Sequence, residues 1–144
     1  MATAGISSFG TLLQVGDGDP TETFTTIAEV KDIRGPKIKQ NSEEATNHSS
    51  PNGWEEFVGH TKGGGTVVFD VNFVPTGATH DASTGLLADL VAGTLRNFQL
   101  VFPDSGSTTW AFAALVQDFE PGAPVKGILT ASITLQISGE PTLA

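Results

Sequence analysis

TVVFDVNFV, residues 66–74, alternates strictly: Val67, Phe69, Val71 and Phe73 fall on one face, and Thr66, Val68, Asp70 and Asn72 on the other. A period of two marks a strand that buries one face and wets the other. Pro75 ends it, because proline has no N–H to give a sheet ladder. Working outward, Gly127–Ile137 repeats the pattern. Leu129, Ala131, Ile133, Leu135 and Ile137 point one way; Ile128, Thr130, Ser132, Thr134 and Gln136 point the other. Phe24–Ile33, Asn97–Phe102 and Thr109–Phe119 read as further strands. Gly35-Pro36 closes the first of these, and Asp104-Ser105-Gly106-Ser107 turns between the other two.

The period changes once. Over residues 81–94, DASTGLLADLVAGT, the side chains Leu86, Leu87, Leu90 and Val91 gather on one helical face. Asp81 or Ser83 is placed to cap the start, and Gly93 suits the stop. Residues 1–20 read as an N-terminal arm ending in Asp17-Gly18-Asp19-Pro20, and residues 139–144 as a C-terminal arm. Five or six strands with one helix, and no βαβ rhythm, predict a mainly β fold. The expected architecture is an antiparallel β-sandwich or partly closed barrel with one flanking α-helix, an extended loop and terminal arms, in a single domain over residues 1–144.

The 144 residues suffice to bury a core, and 38% hydrophobic content describes a globular chain. Its mean hydropathy is +0.00. No apolar run approaches the length of a membrane helix, and MATAGISSFG lacks the blocks of a signal peptide. There is no cysteine, which removes disulfides and thiol chemistry. Seven basic residues against sixteen acidic give a net charge of −9. That balance argues against gripping nucleic acid, which needs concentrated Lys and Arg.

Residues 41–63 fit this picture least. The stretch is polar, with Pro51 and Gly53, and Gly63-Gly64-Gly65 stands at its foot; yet it contains Trp54 and Phe57. Loops of this length are functional or disordered. Its composition predicts little order in a free subunit, with the glycines as a flexible hinge. At about 3.4 Å per residue, half of it running outward reaches about 35–40 Å, far enough to leave its own domain. A tryptophan there either folds back on its own sheet or is covered by another subunit. Trp110, alternating with Phe112, reads as core.

Catalytic and metal readings are weaker than their bland counterparts. His48, His60 and His80 lie near Glu43, Glu44, Glu55 and Glu56, but without the i, i+4 spacing of a zinc hydrolase; solvated loop histidines are the simpler reading. Glu43-Glu44 and Glu55-Glu56 are adjacent pairs rather than acids facing across a cleft. Lys62 precedes the glycines instead of following them, so they form no P-loop. Asp17, Asp19 and Glu22 lack the rest of a calcium loop and read as a turn. No serine sits in a nucleophile elbow. The expectation is no enzyme and no cofactor.

FTTIAEVKDIRGP, the long loop with WEEF, GGGTVVFDVNFVP, a short helix, FQLVFPD, WAFAALVQDFEPGAP and LTASITLQISGEP together resemble the tail tube (major tail) proteins of long non-contractile-tailed bacteriophages. The likeness runs from about Phe24 to Pro141. It implies a β-sandwich subunit, six of which close into a ring with a continuous inner barrel, and rings stacked into a tube that conducts DNA. It implies the virion tail as location, assembly in the host cytoplasm, and tape measure, terminator and distal tail proteins as partners, without a membrane anchor. Glu43, Glu44, His48, Trp54, Phe57, His60 and Lys62 then belong to an inter-subunit, ring-stacking loop. Asp70, Asn72, Thr130, Ser132, Thr134 and Gln136 become candidates for the lumen wall, whose acidity would let DNA pass without adhering. The alternatives are a tail terminator or head–tail joining ring, the tube of a contractile tail or secretion system, and a carbohydrate-binding β-sandwich using Trp54 and Trp110.

Overall fold

The computed structural model describes residues 2–144, and nine strands and one α-helix are formed among them. The strands are β1 (Leu12–Gly16), β2 (Phe24–Thr26), β3 (Val30–Arg34), β4 (Lys39–Glu44), β5 (Phe57–Gly63), β6 (Thr66–Asn72), β7 (Leu95–Val101), β8 (Thr109–Gly122) and β9 (Thr130–Leu143); the helix α1 spans Leu86–Ala92. Seven strands make one antiparallel sheet in the order β2-β1-β7-β8-β9-β6-β3, and β4 and β5 pair separately.

The chain order shows how the large sheet curls. Its two edges, β2 and β3, are consecutive in sequence, with only Ile27, Ala28 and Glu29 between them. Four Cα steps span at most about 14 Å, so the edges must approach. They do not pair with each other, and the sheet stays an unclosed barrel. Ile27 N–H donates to Leu13 O, and Asn72 N–H donates to Glu29 O, tying this short bridge to both sides. The expected single strand Phe24–Ile33 is therefore two strands at opposite edges. Glu29, at φ 60°, breaks it, a conformation that a strand interior does not accommodate.

Alternation places the core as expected. Val67, Phe69 and Val71 on β6, Ala131, Ile133, Leu135 and Ile137 on β9, Phe112, Ala114 and Val116 on β8, and Phe98 and Leu100 on β7 are buried on the concave side. Phe98 and Phe112 stack with ring centres 5.8 Å apart. Trp110 packs at the rim of this cluster. The helix packs against the same cluster through Leu86 and Leu90, whereas Val91, expected on the buried face, is exposed. Gly93 ends α1 in the left-handed conformation at φ 69°, as the sequence indicated. Its start differs. Gly85 is the N-cap with no side-chain cap, and Asp81 instead accepts the N–H groups of Ser83, Thr84 and Gly85, ordering the turn before the helix.

Part of the expected N-terminal arm and most of the C-terminal one are sheet. Leu12–Gly16 pairs with β2 and β7 and buries Leu13 completely. Residues 2–11 lie outside the strands, with Phe9 exposed; Met1, the first residue of that expected arm, lies outside the described residues. At the other end β9 continues through Pro141 to Leu143, pairing Thr142 with Ala111 and Leu143 with Trp110. A register shift between Ala111 and Ala113 absorbs the irregularity at Gly139, whose φ is 91°. The Gly and Pro that suggested a departing tail are accommodated inside the pairing of β9 with β8.

Candidate functional site

The polar excursion is a hairpin. β4 and β5 pair antiparallel, matching Lys39 with Gly63, Gln40 with Lys62, Glu43 with Val58 and Glu44 with Phe57. The expectation of a structureless loop is corrected. Its end is also folded: Ala45 N–H donates to Glu56 O, Glu56 N–H to Thr46 Oγ1, and the Ser50 hydroxyl to Glu56 Oε2 at 2.7 Å. A 3₁₀ turn over Pro51–Gly53 then presents Trp54. The folded tip shortens the reach from that of a fully extended loop.

What sets this hairpin apart is exposure on both faces. Of the thirteen residues in β4 and β5, only Asn41 and Gly63 are even half-buried. Trp54 is 74% exposed, and Phe57 and Val58 are 58% and 59% exposed. The reading in which Trp54 folds back onto its own sheet is therefore set aside. A lone two-stranded ribbon is marginal in water, so this one draws its order from its root. There Gly64 lies against Ile137 and Pro141, where an added Cβ would meet Ile137 Cγ2 at 2.5 Å. Gly65 has φ 72° and turns its carbonyl to the Ile137 N–H and to Gln136 Nε2. The triple glycine is a tightly packed joint rather than a flexible hinge.

The hairpin sorts its charges by position. Glu43, Glu44, Glu55 and Glu56 gather at the far end, with His48 in the same tip; Lys37, Lys39 and Lys62 gather at the root. His60, on the strand between them, is exposed and within 3.2 Å of Thr61 Oγ1. The third histidine departs from the expectation of a solvated loop residue. His80 is completely buried, accepting the Val74 N–H at Nδ1 and bonding Ala28 O through Nε2 at 2.8 Å. Those roles place its proton on Nε2. His80 thus ties the bridge between the sheet edges to the chain leaving β6. Among the described residues, no three His, Asp or Glu side chains form a metal-holding cluster.

The second surface is the convex face of the large sheet. Register pairs Asp70 with Ser132, Asn72 with Thr130, Val68 with Thr134 and Thr66 with Gln136, so all six expected lumen candidates share one side. Directly opposed side chains in such a ladder lie about 5 Å apart at Cβ. Gln136 is the least free of the six, because its amide bonds Gly65 O at 3.1 Å. β8 adds two residues that the sequence reading missed. A bulge between Val116 and Asp118 flips the phase of the strand, turning Phe119 inward and setting Asp118 opposite Thr134 and Glu120 opposite Ser132. The visible signal was Phe119 standing between two acids after Phe112, Ala114 and Val116 had set the opposite phase. Lys31 lies beside Asp70 and Glu120 on this face.

Residues 14–144 match the family model described as lambda phage tail tube protein. The chain belongs to the lambda phage tail tube protein family. The tail tube fold recurs among solved structures. The tail of an empty gene transfer agent particle, refined with C6 helical symmetry, is 21% identical with a TM-score of 0.68, covering 92% of this chain and 94% of that one. The SPP1 tail tube is 14% identical with a TM-score of 0.68, covering 92% and 75%. A sheath/tube terminator of an extracellular contractile injection system is 12% identical with a TM-score of 0.72, covering 100% and 99%. No curated protein sequence matches the chain significantly. As a tail tube protein it has a structural role in the virion tail. No helix among the described residues is long and apolar enough to cross a membrane.

Proposed function

We propose that six copies of this tail tube protein close into a ring, that rings stack into a non-contractile tube, and that DNA passes through the lumen to the host cell. The observation that carries the reading is the β4–β5 hairpin, exposed on both faces and carrying Trp54, in a chain whose family builds tail tubes. An aromatic this exposed is covered when a neighbouring subunit meets it. In this reading the hairpin residues Glu43, Glu44, His48, Trp54, Phe57, His60 and Lys62 are inter-subunit contacts, and the residues 2–11 outside the sheet serve as a short arm. The free edges at β2 and β3 offer unpaired N–H and C=O groups for closure between subunits, and heterologous contacts of that kind close into rings.

Asp70, Asn72, Thr130, Ser132 and Thr134, joined by Asp118 and Glu120, form the proposed lumen wall. An acidic wall repels phosphate and keeps DNA moving. Tape measure, terminator and distal tail proteins are the expected partners. The likeness to a contractile injection system favours a second reading, in which a sheath surrounds the same tube. Electron cryomicroscopy of the concentrated protein tests the proposal. Hollow filaments with six subunits per layer and the β6–β9 polar face lining the bore are expected. Discrete rings that never stack would indicate a terminator, and a persistent monomer would sink the tube reading.

A further inference from the structure

We propose that adjacent copies are held by a charge-polarised contact, in which the acidic tip of one copy's hairpin docks on the basic root of another's. The contact rests on the tube reading above and names the partner of the hairpin as a second copy of this chain. Four of the seven basic residues, Arg34, Lys37, Lys39 and Lys62, lie at the end of β3 or around the hairpin root, and all four are exposed. Four exposed glutamates, Glu43, Glu44, Glu55 and Glu56, occupy the tip. Strand geometry keeps the two groups apart, because the five steps from Lys39 to Glu44 cover about 17 Å. That exceeds the screening length of about 8 Å at physiological salt, so a single chain cannot satisfy its own polarity.

The root also offers a seat for the tip's aromatic. Beside Lys62 lies an open cleft of about 900 Å³ walled by Ile38, Trp110, Ile137, Pro141 and Leu143, with Ile38 and Leu143 half or more exposed. Trp54 is the large exposed apolar side chain at the tip, and a wall of this composition matches an indole. Lys62 and Glu140 are the two charged residues lining the cleft. Tip and root are different surfaces of the same chain, so the contact is heterologous and runs head-to-tail from copy to copy. Two like-charged subunits at −9 each repel overall. A local pairing of opposite charge sets which ends meet and in what orientation.

Charge-swapped variants test it, since all the residues changed are exposed and Glu56, which holds Ser50, is left alone. A tip variant carries Glu43→Lys, Glu44→Lys and Glu55→Lys; a root variant carries Lys37→Glu, Lys39→Glu and Lys62→Glu. Each alone juxtaposes like charges and should need about tenfold or more protein to form filaments. An equimolar mixture of the two, and a chain carrying all six changes, should recover filaments near the wild-type concentration. Circular dichroism and thermal melts establish that each variant is folded. Filaments from either half-swapped variant at wild-type concentrations overturn the tip-to-root contact while leaving the tube reading intact. A folded mixture and a folded six-fold variant that both stay dispersed overturn it equally. A wild-type chain that never associates removes both readings together.

Discussion

The large sheet and the β4–β5 hairpin use the same backbone geometry and solve opposite problems. β6 and β9 put every second side chain into a core shared by five strands and a helix, so each ladder is sealed on one side by Phe69, Ile133 and Leu135. β4 and β5 continue directly from β3 and into β6 but seal nothing. Between them stand Gly35 and Gly65, both at positive φ, where an added Cβ would meet Thr66 O and Lys37 O at 2.5 and 2.1 Å. The chain thus passes from a region stabilised by its own contacts to one whose apolar groups await another molecule. The distinction predicts how substitutions divide: those in the sheet should act on the folded subunit, and those in the hairpin on association.

The largest effect on the subunit is expected from Phe69→Ala. Phe69 is buried at the centre of β6, and truncating such a ring costs about 3–5 kcal/mol. Denaturant titration should show the midpoint falling steeply; a loss below 1 kcal/mol would mean that the sheet is not the source of stability. Next comes His80→Ala, which empties a fully buried position and removes the partner of the Val74 N–H and the Ala28 carbonyl. Each lost hydrogen bond costs about 1 kcal/mol, and hydrogen exchange should quicken first at the β2–β3 bridge. Protection unchanged there would refute the role of His80 as its tie.

A smaller effect is expected at the β7–β8 turn. The Asp104 carboxyl is held below its ordinary range by the Thr108 hydroxyl and then by the Thr108 N–H. A carboxylate lowered on folding contributes stability above its unfolded pKa, and that contribution is lost as pH falls through the folded value. Asp104→Ala should therefore lower Tm modestly at pH 7. The gap to wild type should close in acid below the ordinary aspartate range. An undiminished gap at low pH would show that the carboxylate's charge is not what orders the turn.

Most of the sheet was legible because alternation is a local signal. TVVFDVNFV and LTASITLQI announce their buried faces, and register then brings Asp70 and Ser132 together without further information. The misreadings occur where distant partners decide. Leu12–Gly16 is too short to identify alone and becomes a strand because β7 and β2 are there to receive it. Pro141 suggested a free tail, yet β8 is long enough to pair beyond it. The phase flip after Val116 was written in Phe119 but required trusting one residue over a rule. In the hairpin, polarity concealed a strand pair, because the usual apolar stripe is missing when neither face meets the core. The lysines at 37 and 39 and the glutamates of the tip stand in the sequence as plain composition; only pairing reveals that they occupy opposite ends of one ribbon.

The smallest effect on the subunit is expected from Trp54→Ala, and that smallness gives the comparison its sharpest test. Trp54 follows the 3₁₀ turn at the hairpin tip, and its ring is three-quarters in solvent. Few intrachain contacts are available to lose, so the unfolding free energy should change by no more than about 0.5 kcal/mol, as for ordinary surface sites. Association should respond differently. An interface tryptophan contributes about 2 kcal/mol or more, and in a tube the same contact recurs at every subunit, so the concentration needed for filaments should rise by well over tenfold. Thermal melts and sedimentation on one preparation separate the outcomes. An unchanged melt with lost filaments keeps Trp54 on the association side of the molecule. A large fall in Tm would return it to the fold and erase the division between hairpin and sheet. Normal melts with normal filaments would leave the division standing but remove Trp54 from the surface that bridges copies.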